Sequence, residues 1–300
     1  MKIAITGKNG QLGKSIFKQA KKNDVKNNPT LKFTFIDREE LDLSNLDKIE
    51  KYFLKNKFDV IVNTAAYTLV DRAEDELQIA NQINNLAVRK LAEVAETNQI
   101  YLIHISTDYV FDGKNNSQYD EEDQTNPINA YGKTKLAGEM AIQEIMQNNA
   151  TIIRTSWVYS EFKNNFVKKI LDLGKEGKVI KIVDDQIGSP TYASDLADVI
   201  LNIIKNRQSK KKEDLNIQTY HYSNDGEISW YDFAKQIFKL SKIDCEVEPI
   251  NTEDFLTKAE RPKNTTLSKI KIKQDLNLAD CNWSDSLKKA IDIIEINNYK

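Results

Sequence analysis

Residues 1–13 read MKIAITGKNGQLG, a short apolar run followed by three glycines at regular spacing. The apolar run before Gly7 is typical of a buried strand, and a helical pattern follows the glycines. A strand, a glycine turn and a helix start form the context in which a dinucleotide pyrophosphate binds. Gly7 permits the tight turn, Gly10 lets the backbone approach the phosphates, and Gly13 lets the helix pack closely on the strand. The G-x-x-G-x-x-G spacing is also compatible with a plain strand-to-helix turn that binds nothing.

Two charged residues after the second predicted strand bear on the choice of cofactor. Asp37 is an acid of the kind that binds the adenosine ribose hydroxyls of NAD, whereas Arg38 could bind the 2′-phosphate of NADP. Because both are present, the sequence leaves NADH and NADPH open. Asp42 and Leu43 follow shortly and could approach the adenine. The alternative is that these charges lie on a solvated loop.

Apolar strand-like runs alternate with amphipathic helical stretches through residues 1–155. This alternation predicts an α/β fold, a doubly wound parallel sheet of the Rossmann type that binds NAD(P). The remainder, 156–300, is less regular, and no flexible linker precedes it. We expect it to form mainly a smaller, closely packed substrate-binding lobe, with a segment at about 213–240 returning to the first domain. The predicted strands are 3–6, 31–36, 59–63, 101–106, 151–155, 179–183 and 216–223, and the predicted helices are about 11–22, 46–56, 83–98, 130–148, 163–175, 194–206, 229–241 and 285–296.

Several predicted strands end in polar or small residues. Residues 63–67, 106–107 and 156–157 all follow such strands. Because ligands of parallel sheets bind beyond the carboxyl ends of the strands, these segments should meet at one edge. The small side chains of Ala65 and Ala66 would let a cofactor lie against the backbone, although a chance loop of small residues would look the same.

Tyr131 and Lys135 lie four residues apart in the segment YGKTK at 131–135. On a helix this spacing puts both side chains on one face, one turn apart. A nearby ammonium favours the phenolate, so we expect Lys135 to lower the pKa of Tyr131 and fit it for acid–base catalysis at a sugar hydroxyl. Thr107, at the end of a preceding strand, would complete the set. The pair alone is common on helix surfaces, and it gains its meaning from the glycine loop.

The composition excludes several classes of protein. A net charge of −2 over 300 residues argues against nucleic acid or an anionic membrane as the main partner, and no apolar stretch approaches a membrane span. With only two cysteines, Cys245 and Cys281, no disulfide framework is expected, which fits a cytoplasmic protein. His104 and His221 are the only histidines, so no metal site is predicted, and His104, inside an apolar strand, is expected to be structural.

Longer motifs surround these residues. They are STDYVFDG at 106–113, YGKTKLAGE at 131–139, RTSWVY at 154–159, NNF at 164–166, DQIGSPT at 185–191 and RP at 261–262. With these motifs the chain resembles the extended short-chain dehydrogenase/reductases, and within them the dTDP-4-dehydrorhamnose reductases. The match spans nearly the whole chain. It implies NAD(P)H-dependent reduction of the 4-keto group of dTDP-4-dehydro-L-rhamnose, the last step in the synthesis of dTDP-L-rhamnose.

The resemblance also implies a role for each matching position. Tyr131 would donate the proton, Lys135 would hold the nicotinamide ribose, and Thr107 would orient the carbonyl oxygen. The nucleotide sugar would contact Thr107, Asp108, Tyr109 and Trp157. The cofactor would contact Gly10, Gln11, Leu12, Asp42, Leu43, Ala65, Ala66 and Tyr67. A homodimer and a Mg²⁺ ion are compatible with the resemblance, but no group of acids indicates where the metal would bind.

Two departures and two rival functions qualify this interpretation. Tyr67 stands where histidine is common in the family, and Leu69 where a smaller residue is usual. A nucleotide-sugar epimerase, a dehydratase or another 4-keto reductase would share the fold and the Thr107, Tyr131 and Lys135 set. A non-catalytic relative, such as the NADP-binding regulatory subunit of methionine adenosyltransferase, would keep the fold as a binding module. The intact catalytic set disfavours a binding module.

Overall fold

The structure is a computed structural model of the chain, and it describes residues 1–24, 31–209 and 216–298. Its central sheet has six parallel strands in the order β10-β5-β4-β3-β1-β2 across the sheet. The chain reverses its direction of travel between β1 and β3, and parallel sheets bind ligands at such a switch point. The Rossmann-type α/β fold is therefore confirmed. These strands are β1 (Lys2–Thr6), β2 (Lys32–Ile36), β3 (Val60–Asn63), β4 (Tyr101–Thr107), β5 (Ala150–Thr155) and β10 (Gln218–His221).

Helices cover both faces of the sheet because each buried strand supplies apolar side chains to both. Along β1, Ile3 and Ile5 enter one core while Ala4 enters the other, as the alternation of side chains along a strand requires. The first face carries α1 (Gln11–Asp24), α8 (Ala193–Ser209) and α10 (Ile270–Leu276). The second carries α2 (Leu46–Lys55), α5 (Ala87–Thr97) and α6 (Ala130–Ile145).

A further apolar core, which contains the fully buried Phe233, lies in the later part of the chain, away from the two cores on the sheet faces. The segment at 213–240 was expected to return to the first domain, and only part of it does. β10 joins the main sheet, whereas α9 packs in the core around Phe233; residues 213–215 lie outside the described residues. The helices of this lobe are α7 (Phe166–Gly174), α9 (Trp230–Ser241) and α11 (Trp283–Asn298), and its paired strands are β6 (Val158–Tyr159) with β9 (Thr191–Tyr192), β7 (Ile180–Val183) with β12 (Val247–Ile250), and β8 (Ile187–Gly188) with β11 (Ile228–Ser229).

The predicted helix at 83–98 differs from the observed one. Helical structure already begins with α3 (Val70–Ala73) and α4 (Leu77–Asn81), and a π-helical segment, Gln82–Leu86, joins α4 to α5. Such π segments often occur at functional sites. Here the segment turns Asn84 inward, where the side chain is 1% exposed and bound to neighbouring backbone. The 3.6-residue pattern carries no sign of this local change.

A buried ion pair fixes α6 to the sheet. Arg154 Nη2 of β5 lies 2.8 Å from Glu139 Oε2 of α6, and the two side chains are 6% and 1% exposed. Arg154 Nε also donates to both carboxylate oxygens, each at 3.1 Å. Ser106 of β4 donates its hydroxyl to Glu139 Oε1. The helix is thereby attached to the ends of two neighbouring strands.

We predict that Arg154→Met will lower the free energy of unfolding by about 3–5 kcal/mol, because Glu139 would be left as a buried charge without a partner. The double variant Arg154→Met/Glu139→Met should recover much of this loss, since it removes both charges and keeps the volume. Urea unfolding of the two variants and the unmodified protein measures the difference. Equal losses in the single and double variants would contradict this account.

Candidate active site

A cavity of about 700 Å³ opens at the carboxyl edge of the central sheet. Its walls come from the turns after β1, β3, β4 and β5 and from the start of α6. The predicted residues that line it are Gly7, Gly10, Gln11, Leu12, Ala65, Ala66, Thr107, Asp108, Tyr109, Tyr131, Lys135 and Trp157. Thr64 and Ser106, from segments expected at this edge, line it too, together with residues not predicted to lie there: Thr68, Val70, Ile105, Thr155, Val158, Lys163, Asn164 and Trp230. The sequence therefore identified most of one wall, and Trp157 but no other lining residue of the second lobe.

The glycine loop packs closely on its neighbours and borders the cavity. Gly7 has a φ of +76°, and a Cβ there would lie 2.8 Å from the backbone nitrogen of Ala65. A Cβ at Gly13 would lie 2.3 Å from the carbonyl oxygen of Gly7, so this glycine serves the packing of α1 on the loop and does not line the cavity. At Gly10 the nearest atom to such a Cβ is 3.2 Å away. The N-terminus of α1 adjoins the cavity, and its free N–H groups suit an anion.

Gln11 connects the two lobes at the cavity. Its Nε2 donates to the carbonyl oxygen of Val158 at 3.2 Å. Its Oε1 accepts hydrogen bonds from Ser160 Oγ at 2.9 Å and Asn165 Nδ2 at 3.0 Å. The resemblance implied a cofactor contact at Gln11, and the structure adds that its side chain holds the segment after β5 against the glycine loop.

The charged residues after β2 lie outside the cavity lining. Asp37 Oδ2 is 3.3 Å from Lys8 Nζ, and a hydrogen bond from the backbone N–H of Glu40 lowers the pKa of the Asp37 carboxyl. Arg38 Nε is 3.5 Å from Asp42 Oδ2, and the Arg38 side chain is 75% exposed. An acid and an exposed guanidinium therefore remain side by side at the end of β2. Leu43, in contrast, is buried in the core under the sheet.

Asn84 holds the loop after β3 in place. Its Oδ1 accepts from the backbone N–H of Tyr67 at 2.9 Å, and its Nδ2 donates to the Tyr67 carbonyl at 3.0 Å. Nδ2 also donates to Thr134 Oγ1 on α6 at 3.1 Å. The ring of Tyr67 points elsewhere, and its hydroxyl donates to Glu76 Oε2 at 2.6 Å. Ala65 and Ala66 therefore face the cavity, whereas the Tyr67 side chain does not line it.

The structure brings Thr107, Tyr131 and Lys135 together at this cavity. Thr107 ends β4, and Tyr131 and Lys135 occupy successive turns at the start of α6. Asn129 caps this helix by accepting from the backbone N–H of Gly132 at 2.8 Å. A Cβ at Gly132 would lie 2.1 Å from the carbonyl oxygen of Tyr109, so only glycine lets α6 begin this close to β4.

The predicted lowering of the Tyr131 pKa is wrong for this structure. Burial of the phenol raises the pKa of Tyr131 to about 12, and a hydrogen bond with Thr107 opposes this only in part. Lys135 does not offset the burial: its Nζ donates to the carbonyl oxygen of Ile105 at 2.6 Å and lies 3.3 Å from His104 Nε2. Burial also lowers the pKa of Lys135 to about 8. At neutral pH the phenol is protonated and is an acid.

Asp108 is buried behind Thr107. Thr107 Oγ1 donates to Asp108 Oδ1 at 2.9 Å, and Thr265 Oγ1 donates to Asp108 Oδ2 at 2.5 Å. Burial raises the pKa of Asp108 to about 6. The hydroxyl of Thr107 is thus directed at Asp108, and it must rotate before it can donate to a carbonyl oxygen in the cavity.

Trp157 stacks on a second tryptophan. The ring centroids of Trp157 and Trp230 are 3.4 Å apart, with 10° between the ring planes, and both residues line the cavity. Trp157 has a φ of +47°, a left-handed conformation that is uncommon outside glycine. A Cβ at Gly188 would lie 2.6 Å from the Trp157 ring, so this glycine makes room for the stack. Nothing in the sequence indicated Trp230, which follows a different strand.

A second cavity, of about 870 Å³, shares Tyr109 and Trp230 with the first. Several cationic side chains line it: Arg72, Lys169, Lys181, Lys258 and Arg261. Three of them are paired with acids: Arg261 Nη2 lies 2.7 Å from Asp71 Oδ2, Lys258 Nζ lies 2.5 Å from Asp75 Oδ2, and Lys181 Nζ lies 3.9 Å from Glu248 Oε2. The first two pairs connect residues 258–261 to α3 and to the turn that follows α3.

Two further observations concern metal ions and membranes. Among the described residues, no group of three or more His, Cys, Asp and Glu side chains is arranged to hold a metal ion. None of the helices in the described ranges is both long and apolar enough to cross a membrane.

Comparison with known proteins identifies the family. The model of the "RmlD substrate binding domain" matches residues 1–296. The chain is 37% identical over 295 residues to a dTDP-4-dehydrorhamnose reductase of Sinorhizobium fredii, covering 97% of each chain. A crystal structure of a dTDP-4-dehydrorhamnose reductase from Clostridium acetobutylicum matches with a TM-score of 0.89 and 38% identity, covering 98% of this chain and 100% of that one. One from Bacillus anthracis, in complex with NADP, matches with a TM-score of 0.87 and 36% identity, covering 97% and 99%. The chain therefore belongs to the family of the dTDP-4-dehydrorhamnose reductases.

Proposed function

We propose that this protein reduces the 4-keto group of dTDP-4-dehydro-L-rhamnose with NADPH or NADH and so makes dTDP-L-rhamnose. The observation that carries the proposal is the convergence of Thr107, Tyr131 and Lys135 on the cavity that the glycine loop borders. The names of the relatives and the NADP in the Bacillus anthracis structure support the same substrate and cofactor. Residues 1–155 would bind the dinucleotide, and 156–300 mainly the sugar, with the β10 segment returned to the sheet.

The dinucleotide would lie over Gly10 and the N-terminus of α1, with Ala65 and Ala66 beside it. When bound, the nicotinamide supplies the hydride for C4. Negative charge then develops on the former carbonyl oxygen, and Tyr131, whose phenol is protonated at neutral pH, gives that oxygen its proton. Thr107 turns its hydroxyl from Asp108 to the same oxygen. Lys135 holds the nicotinamide ribose and stabilises the phenolate that Tyr131 becomes.

The nucleotide part of the substrate would occupy the second cavity. A nucleoside diphosphate carries negative charge, and the cations of that cavity, Arg72 and Lys169 among them, would attract it. Tyr109 and Trp230 border both cavities, so the sugar would lie between them, under the Trp157–Trp230 stack. Aromatic faces suit the apolar face of a 6-deoxy sugar.

The assembly and location remain part of this proposal. Leu54 on α2 and Met140 on α6 are 52% and 59% exposed, and a homodimer would cover apolar side chains of this kind. A cytoplasmic location is part of the proposal, and the two cysteines, Cys245 and Cys281, are free thiols, which a reducing compartment would maintain. No step above requires Mg²⁺.

The first prediction separates a reductase from a dehydratase or epimerase. Dehydratases of this superfamily typically carry Asp-Glu after the catalytic threonine, whereas Asp108 is followed here by Tyr109, whose pKa burial raises further. The protein should oxidise added NADPH stoichiometrically with dTDP-4-dehydro-L-rhamnose, and NMR of the sugar should show the L-rhamno configuration at C4. Incubation with dTDP-glucose and NAD⁺ should give no 4-keto-6-deoxy product. Formation of that product, or binding of NADPH without turnover, would favour the rival functions.

A second prediction concerns the proton donor. Tyr131→Phe should lower kcat by at least about two orders of magnitude, the usual contribution of a positioned acid, while NADPH still binds. Tyr109→Phe is the matched control, because the Tyr109 ring lies 5.9 Å from the Tyr131 ring in the same wall and should matter less for kcat. Stopped-flow turnover and NADPH titration measure the two effects. Near-normal turnover of Tyr131→Phe would remove Tyr131 from this role.

A third prediction concerns the choice of cofactor. Arg38→Ala should raise KM for NADPH by roughly tenfold and leave KM for NADH nearly unchanged, because a lost hydrogen bond to a charged phosphate is worth about 1.5 kcal/mol. Arg38→Lys keeps the charge but loses the planar guanidinium. Its KM for NADPH should therefore lie between that of the unmodified protein and that of Arg38→Ala. If both cofactors were affected equally, Arg38 would be only a solvated surface charge.

A further inference from the structure

A row of buried polar side chains leads from the catalytic lysine to the strand before the glycine loop. Lys135 Nζ lies 3.3 Å from His104 Nε2, and His104 Nδ1 lies 3.1 Å from Asn63 Nδ2. Asn63 Oδ1 accepts from Thr6 Oγ1 at 2.7 Å. Thr6, Asn63 and His104 are register partners on the neighbouring strands β1, β3 and β4, which is why they meet. All four side chains are at most 2% exposed, so their polar groups need partners from the protein.

The orientation of the Asn63 amide determines which nitrogen of His104 carries the proton. An amide nitrogen only donates, so His104 Nδ1 must accept from Asn63 Nδ2. Burial, and then the neighbouring Lys135, hold the pKa of His104 well below its usual value, so the ring is neutral and its proton lies on Nε2. That N–H points at Lys135 Nζ. It can be accepted only if Nζ has a lone pair, which means that Lys135 is an uncharged amine.

A charged Lys135 requires the opposite arrangement. An ammonium has no lone pair, so His104 Nε2 must then accept, and the ring proton must lie on Nδ1. Nδ1–H in turn needs an acceptor, which Asn63 offers when its amide turns over and presents Oδ1. Thr6 Oγ1 then accepts from Asn63 Nδ2. Each arrangement pairs both ring nitrogens of His104 with a complementary group, whereas a mixture of the two sets two donors or two acceptors against each other.

We propose that His104, with Asn63, is a positioning residue for Lys135 that exchanges its tautomer whenever Lys135 gains or loses its proton. In the charged state one proton from the solvent resides on Nζ, and the imidazole keeps a single N–H that has moved from Nε2 to Nδ1. Nζ keeps the same two contacts, Ile105 O and His104 Nε2, in both states. The ammonium then has one further hydrogen for the cavity that Lys135 lines.

Few charged groups act on this row. Glu139, one turn along α6, raises the pKa of Lys135, but it is held by Arg154 of β5. Tyr131 lies one turn before Lys135 on α6. Burial, and to a lesser extent Asp108 after β4, raises the pKa of Tyr131. β3 and β1 contribute Asn63 and Thr6 to the row, neither of which titrates. The protonation of Lys135 is therefore the event to which the row responds.

The inference rests on the proposed function in one respect, since it gives Lys135 the role of supporting the cofactor ribose and the phenolate of Tyr131. Only the ammonium form carries the positive charge that favours the phenolate. Activity should therefore fall as the pH rises through the Lys135 pKa, which burial lowers to about 8. Because it lies in an apolar strand, His104 was expected to be structural. It would instead keep Lys135 in place at pH values below and above the Lys135 pKa.

The test is ¹⁵N NMR of the full-length protein labelled with [¹⁵N]histidine, without substrate. The chain has two histidines, and His221 is an internal reference, because its Nδ1 faces the Tyr119 carbonyl and its Nε2 faces Arg154 Nη1, which fix one tautomer. As the pH rises through about 8, the His104 proton should move from Nδ1 to Nε2 while His221 stays unchanged. The same His104 tautomer throughout, or an imidazolium at His104, would overturn the proposal. A tautomer exchange in a protein that reduces no keto sugar would overturn the proposed function alone.

A variant provides an independent measurement. In Asn63→Asp the carboxylate only accepts, so it holds the His104 proton on Nδ1 and favours the ammonium of Lys135. The alkaline limb of the kcat profile should then move upward by about one pH unit or more. Asn63→Leu, which removes the partner of Nδ1 without adding an acceptor, should not move it upward. A purely structural role for Asn63 predicts that both variants lose stability and leave the limb where it was.

Discussion

The buried ion pair between Glu139 and Arg154 is the interaction on which the site depends. It joins the helix that carries Tyr131 and Lys135 to the strand that precedes Trp157, and Ser106 brings in the strand that ends at Thr107. Breaking such a pair leaves an uncompensated buried charge, so these contacts favour the arrangement in which the three elements meet. Gly132 then allows the helix to start against the carbonyl of Tyr109. The catalytic groups inherit their positions from this arrangement.

The second lobe is attached to the first through polar contacts at the cavity. Gln11, at the start of α1, binds the segment after β5, and Lys18 on the same helix lies 2.7 Å from the buried carboxylate of Glu161. On the opposite side, Arg261 bound to Asp71 connects the later chain to α3. The cavity thus lies between two lobes that are connected on both sides, and residues from either lobe can contact one ligand.

Burial decides the protonation of the catalytic groups. It raises the pKa of Tyr131 and lowers that of Lys135, because both charged forms lose solvation. A tyrosine that stays protonated suits a reduction, in which the phenol must give a proton to the new alkoxide. A buried lysine with a lowered pKa needs neighbours that can bind both its ammonium and its neutral amine. A histidine between an amide and an amine can do so by exchanging its tautomer.

The sequence alone determined the order of strands and helices, the glycine loop and the four-residue spacing of Tyr131 and Lys135, because these depend on local periodicity and on steric rules that act within a few residues. It also placed the small residues Ala65 and Ala66 at the carboxyl edge, since the edge follows from strand direction. Only the tertiary structure decided the partner of Lys135, the rotation that Thr107 requires, the inward turn of Asn84 and the stacking of Trp157 on Trp230. Each of these depends on contacts between residues distant in the chain and on burial. Local sequence carries no information on how much water a folded chain excludes, and that exclusion reversed the expected shift of the Tyr131 pKa.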